Sequence, residues 1–268
     1  MENFEFYKKI RLDDNKKFVF SKLKEFYELL PDTEGCLDNI NKKGGCNAWC
    51  CRIQSPQLLY IEFLYAWNEV LHNWDISQIC ELIERAMKNY ILGRTTKKCI
   101  FFQEKDKKCP IHDFRPLSCR SYGIMPEEEF RPKYEKLKAE FKDVVGAIVK
   151  EQCNLIKCIN SKIKATNKQI KKTGIKVITI APQKITKEVV DNWWNDLYKL
   201  EQQLGISKEN IHDNIGGSYR TYHDHLLLYM MPDDILISLQ TIRLSEDINS
   251  KMLAVNYYMK RVKEKLNG

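Results

Sequence analysis

Glycine and proline are scarce in this chain, at 11 and 8 of 268 residues. That excludes a low-complexity or collagen-like chain, while 43% hydrophobic and 11% aromatic residues exclude a disordered one. No apolar run approaches the roughly 18 residues of a membrane span, since even Leu58–Trp67 is broken by Glu62. The first residues, MENFEFYKKIRLDDNKKF, mix acids with bases and contain no apolar h-region, so they do not read as a signal peptide. Gly44-Gly45 and Gly216-Gly217 are the only glycine pairs, which leaves no GxGxxG or Walker loop for a dinucleotide or ATP. These absences point to a cytoplasmic protein with no membrane segment, built as one large domain or two modest ones.

Cysteine is plentiful, with ten in all, in a setting where structural disulfides are rare. Eight fall within the first 119 residues: Cys36, Cys46, Cys50, Cys51, Cys80, Cys99, Cys109 and Cys119. Core thiols scatter with the core. These gather instead in polar, loop-forming stretches, after Lys42-Lys43-Gly44-Gly45 and around Lys107-Lys108-Cys109-Pro110. Such clustering points to metal ligands.

The expected fold is mainly α with a few short strands, an α+β arrangement in which helices scaffold two cysteine-bearing loops. Residues 14–30 read as a helix stopped by Pro31, with Val19, Leu23, Phe26 and Leu30 on one face. An irregular loop follows over 31–54. Ser55-Pro56 predicts a helix running to about Asn73. Asp75 with Gln78 predicts a capping box and a helix through Ile79, Leu82, Ile83, Ala86 and Tyr90, ended by Gly93. A second irregular stretch covers 94–124. Pro126 and three glutamates open a further helix, with Phe130, Tyr134, Leu137, Phe141, Val145 and Ile148 along one face. Beyond it lie a short strand over 175–181, a helix over 188–204, a partly alternating segment over 234–244 that suits a strand, and a last helix capped by Ser245 and running to Val262.

The domain expectation is a cysteine-cluster domain over 1–150, a basic linker or boundary over 151–187, and a smaller mixed α+β part over 188–268 that packs on the first. The net charge of +8 arises partly in that boundary, where residues 152–187 hold no acid. Only 10 of the 44 basic residues are arginine, and residues 157–187 hold neither Phe nor Tyr, which argues against nucleic acid and for a solvated segment.

The chemistry lies in two loops. The first carries Cys46, Cys50 and Cys51, with Cys36 ten residues before; the second carries Cys99, Cys109 and Cys119 at ten-residue intervals. Four thiolates from two loops suit a tetrahedral zinc or a cubane cluster. The vicinal pair Cys50-Cys51 is hard to use at one ion, because adjacent side chains diverge, and a multinuclear cluster accommodates it better. Arg115 and Arg120 bracket Cys119 and supply positive charge and N–H donors near thiolates. A radical SAM motif fails, because the position required after Cys46 and Cys50 is Ile53. Zinc ribbons need two C-x2-C knuckles, and there are none.

The pattern C-x3-C-C, a helical insert, then C-x9-C-x-I-H-x-x-R-P-x-x-C-R resembles the YkgJ-like cysteine-cluster family, described as zinc- or iron-chelating domains. Flagellin lysine-N-methylases share a similar cluster. The resemblance covers residues 36–122 and falls on Cys46, Cys50, Cys51, Cys99, Cys109, Arg115, Pro116, Cys119 and Arg120. The family usually has a further cysteine a few residues before C-x3-C-C; here the nearest is Cys36. The resemblance implies an iron–sulfur cluster or zinc, and a position beside the centre, not on it, for His112.

Elsewhere, His223 and His225 sit two apart, on one face if the segment is a strand, and with Asp224 they are weak candidates for catalysis or a second metal. Solvent-facing or hydrogen-bonded histidines are the plainer reading. Cys80 reads as a core thiol, while for Cys153 and Cys158 both a core thiol, the reading their spacing favours, and a late metal ligand stay open. Trp194 falls beside the buried stripe Val190, Trp193, Leu197 and Leu200, placed for a surface contact. Seven motif cysteines exceed what one structural zinc needs. The expected function is therefore an iron–sulfur protein, with [4Fe-4S] favoured over zinc. It acts as an enzyme or a redox or sulfur-handling component on a small molecule or peptide, with an electron-donor or other partner protein. A zinc-stapled adaptor is the alternative, and a SAM-dependent protein lysine N-methylase a further one.

Overall fold

The computed structural model describes residues 14–30, 51, 55–92, 98–103, 109–121, 186–203, 220–231 and 233–267. These are mostly helical with one two-stranded sheet, as the sequence leads one to expect. The helix predicted over 126–148, the strand over 175–181 and all but the last two residues of the 151–187 boundary lie outside them. No helix of the described residues is long and apolar enough to cross a membrane.

Helix α1, Asp14–Leu29, buries Val19, Phe20, Leu23 and Tyr27 at helical spacing and turns its charges to solvent. Helix α2, Tyr60–Asn73, buries Ile61, Phe63, Leu64, Ala66, Trp67, Val70 and Leu71 and so sits at the centre of the molecule. It starts later than Ser55-Pro56 predicts. Gln57–Leu58 forms strand β1, antiparallel to β2, Arg220–Thr221. The first turn of α2 is instead set by Glu62, whose carboxylate accepts from the Leu59 N–H at 2.9 Å. The partner strand comes from the far half of the sequence, so no local signal marks β1.

Helix α3, Ile76–Leu92, begins with the reciprocal pair predicted for it: Gln78 N donates to Asp75 Oδ1 at 2.8 Å and Asp75 N to Gln78 Oε1 at 3.1 Å. Its buried stripe holds Ile79, Cys80, Leu82, Ile83, Ala86, Met87, Tyr90 and Ile91. That confirms Cys80 as a core thiol. In the 98–121 region lie a 3-10 turn, His112–Phe114, and the short α4, Leu117–Arg120.

Helix α5, Lys187–Gln202, is capped by the Thr186 hydroxyl and packs against α1. Val190 and Leu197 are buried; Trp193 and Trp194 are both half-buried against the core. Thr221 and Asp224 form a capping box for α6, Tyr222–Met230. Residues 234–244 are helical, not extended: α7 spans Asp233–Leu244. Ile235, Leu236 and Leu239 are buried at helical spacing while Ile237 is 63% exposed, and this packing overrides the local alternation. Helix α8, Ile248–Asn267, is capped by Asp247 in place of Ser245 and extends beyond Val262. Helix α3 packs against α6, α7 and α8, and one continuous core runs from Val19 to Val262.

Candidate metal centre

Four motif cysteines lie among the described residues, and a backbone bond joins two of them. The Cys99 N–H donates to the Cys51 carbonyl at 2.8 Å, joining the two cysteine-bearing stretches. Cys99 opens a tight turn closed by Phe102 N at 3.0 Å and pinned by the buried Ile100, Phe101 and Phe102. Cys109 opens another, closed by His112 N at 3.1 Å. Cys119 lies in α4, its N–H bonded to the Pro116 carbonyl at 2.9 Å. All four are thiols, none in a disulfide. Cys99 is buried and the other three are half-buried.

A buried carboxylate holds this arrangement. Glu62 is 1% exposed. Its Oε1 accepts from Tyr27 Oη at 2.7 Å and from Leu117 N at 2.6 Å, and its Oε2 from Leu59 N. One side chain thus ties α1, the start of α2 and the start of α4, two residues before Cys119. Burial raises its pKa to about 7, with the nearby charge of Glu201 adding to the effect, against the pull of the three donors. Burial, and then the charge of Glu62, pushes the Tyr27 phenol up as well. Glu201 does for α5 what Glu62 does for α4, accepting from Ile61 N at 2.8 Å.

Arginine completes the frame of the 109–121 segment. Arg120 lies over the Tyr27 ring at 4.2 Å and donates to the carbonyls of Arg115 at 2.8 Å and Asp113 at 2.5 Å. Arg115 donates to the His112 carbonyl at 2.7 Å. Both arginines therefore shape the backbone between Cys109 and Cys119. With His112, Tyr27, Tyr65 and Phe114 they also line a cleft of about 750 Å³. Burial lowers the His112 pKa, with Arg115 acting in the same direction.

Tyr222, the first residue of α6, enters from the other half of the chain. It is 1% exposed, and its ring meets Phe101 edge-on at 4.8 Å. Its hydroxyl is buried and makes no hydrogen bond. Burial raises its pKa well above the ordinary tyrosine range, and the charges of Cys119, Cys99, Glu62 and Cys109 act on it in the same sense. A buried, unpartnered hydroxyl on which the charges of three thiols of the second stretch act fits a site that takes a thiolate-bound ion or cluster. Among the described residues, no three His, Cys, Asp or Glu side chains stand close enough to hold a metal ion. Cys36, Cys46 and Cys50 lie outside those residues, as do Cys153 and Cys158.

The histidine pair is arranged differently from the strand expectation. Both residues lie on α6, where positions two apart point to opposite sides. His225 is 2% exposed, stacks on Phe63 at 5.4 Å, and donates from Nε2 to the Leu58 carbonyl at 3.0 Å. His223 meets the Thr221 hydroxyl through Nδ1 at 3.0 Å, and Asp224 is engaged in the cap of α6. Of the residues that matter here, Glu62 left a trace in the sequence, as the lone acid in an apolar run. Tyr222 and Tyr27 left none.

Residues 42–154, less than half of the chain, match the model of a family described as "Putative zinc- or iron-chelating domain". The match agrees with the resemblance of the cysteine spacing to the YkgJ-like family. Neither the curated proteins nor the solved structures compared with the chain give a match.

Proposed function

We propose that the chain is an iron–sulfur protein, holding a [4Fe-4S] cluster on four cysteines drawn from Cys36, Cys46, Cys50, Cys51, Cys99, Cys109 and Cys119. The observation that carries this reading is the Cys99–Cys51 backbone bond. It sets Cys51 of the vicinal pair against the second stretch, and the seven motif cysteines of the sequence are more than a single structural zinc needs. When bound, such a cluster supplies electrons or an open iron to a substrate.

The protein's own residues do the rest. Glu62 fixes the segment that carries Cys119, and Arg120 fixes the backbone between Cys109 and Cys119. The cleft beside this segment, lined by Arg115, Arg120, Glu69 and Asp113 together with the Tyr27, Tyr65 and Phe114 rings, suits a small molecule or peptide with polar groups beside an apolar one. An electron-donor protein acting in the cytoplasm completes the proposal. Within it, residues 1–150 form the metal-binding domain, 151–187 the boundary, and 188–268 a part that covers it.

Metal and acid-labile sulfide analysis of protein purified without oxygen, with absorption spectra, tests the reading. Iron and sulfide in stoichiometric amounts support it. A colourless protein holding one zinc and no sulfide replaces it with a zinc-stapled adaptor.

A further inference from the structure

Scattered exposed apolar side chains are ordinary on a protein surface, whereas a concentration of them marks a contact. Among the described residues nine large hydrophobic side chains are exposed, and five of them, Ile237, Leu244, Ile248, Leu253 and Tyr257, lie on α7 and α8. The two helices pack on each other and both pack on α3, so their outer sides face away from α3 together. The core side of α8 is the stripe Val255, Met259 and Val262. Leu253 and Tyr257 stand one turn apart on the opposite side, 69% and 57% exposed. Arg261 lies over the Tyr257 ring at 5.9 Å. Ile237 and Leu244, two turns apart, occupy the outer side of α7.

The two ends of α8 carry opposite charge. Glu246 and Asp247 stand before its first turn, and both are exposed. Lys260, Arg261 and Lys263 outnumber Glu264 near its other end, where Lys260 and Glu264 pair at 4.0 Å. Glu246, Leu253, Tyr257 and Lys260 share the outer side by their spacing of threes and fours. A ridge that is acidic at one end, apolar in the middle and basic at the other is complementary to itself when turned end for end. Charges in line with the apolar pair suit a lipid surface poorly, since that calls for an unbroken apolar face.

We infer that the outer face of α7 and α8 binds a second copy of this chain, with the two α8 helices antiparallel across a twofold axis near residue 255. Leu253 of each copy then meets Tyr257 of the other, and Glu246 of each lies within about one turn of Lys260 of the other. The motif cysteines all lie outside these helices, so the contact stands apart from the metal reading. A face built on two helices sits at the small end of specific interfaces, about 1,200 Å², and a micromolar dimer is expected.

Sedimentation of the full chain, kept reduced so that no disulfide joins copies, tests this from about 1 to about 200 micromolar. Wild type is expected to pass reversibly from monomer to dimer. Leu253→Asp acts twice in each dimer and is expected to weaken it about a hundredfold or more, with the melting temperature of the monomer unchanged. Glu246→Lys and Lys260→Glu are each expected to weaken it several-fold, and the two together to restore most of the loss. A parallel contact gives no such rescue, because it sets each residue against itself. Wild type that stays monomeric throughout overturns the inference, and so does a dimer that Leu253→Asp leaves intact. A charge swap without rescue overturns the antiparallel arrangement. If Leu253→Asp melts early, the charge variants decide alone, since they replace exposed side chains. Monomer that sediments with phosphatidylcholine–phosphatidylserine vesicles assigns the face to lipid and overturns the inference as well.

Discussion

Replacing Glu62 by glutamine keeps the size of the side chain but removes its titration and one acceptor. In the wild type Oε1 takes the Tyr27 hydroxyl and the Leu117 N–H, and Oε2 takes the Leu59 N–H. The amide oxygen can serve the first two, which leaves the amide NH2 facing the Leu59 N–H and one buried donor orphaned, at about 1–3 kcal/mol. Glu62→Leu orphans all three donors and is expected to cost several times as much, less the relief of removing a buried carboxylate. The pH dependence carries the sharper signature. The folded pKa of about 7 lies above the ordinary 4.5, so the folded state holds the proton more tightly than the unfolded one. The resulting stabilisation is fully present below 4.5 and is lost as pH rises through about 7. At 1.36 kcal/mol per pH unit this amounts to about 3 kcal/mol. Glutamine does not titrate. Urea unfolding of both proteins at pH 5, 6, 7 and 8, at constant ionic strength, should therefore show the wild-type advantage shrinking by about that amount as pH rises. An advantage that stays flat, or grows with pH, refutes the assignment of Glu62 as a carboxyl held up by burial.

Three further outcomes follow from the same geometry. Cys119→Ala should abolish metal and chromophore, while Cys80→Ala should keep both and lose only some melting temperature; metal analysis showing the reverse would overturn the ligand set. Arg120→Ala removes the contact over Tyr27 and two carbonyl bonds, so it is expected to cost about 1–3 kcal/mol and to speed loss of metal to a chelator. Unchanged release would mean that the 109–121 backbone holds its shape without the guanidinium. Thr221→Ala breaks the cap of α6 and should lower stability by about 1 kcal/mol in a thermal melt, with Thr221→Ser recovering most of it.

Features encoded within a few residues were legible in the sequence. The Asp75–Gln78 pair and the stripe of α3 follow from periods and spacings that no tertiary contact disturbs. The cysteine pattern was legible for the same reason. Residues 234–244 misled because their apolar residues partly alternate, and only the neighbours of α7 decide which of them are buried. Residues 56–59 misled because a cap-like Ser-Pro was outweighed by a strand partner from the other half. Glu62 was visible as an interruption of an apolar run, but its meaning depends on Tyr27 and Leu117, brought to it from either side by the fold. Tyr222 had no signature, because one tyrosine among 13 looks like any other until its hydroxyl is seen to be orphaned.

The small sheet has a consequence for the order of assembly. It pins Leu58 beside residues 220–221, and the His225 bond to the Leu58 carbonyl spans 167 positions of chain. Closing so long a loop is entropically costly and rewards the chain only once both ends exist. During synthesis the cysteine stretches emerge first, while the helices that cover α3 arrive last. A ribosome therefore exposes the most oxidisable part of this protein for most of the time it takes to make it, before the small sheet can form.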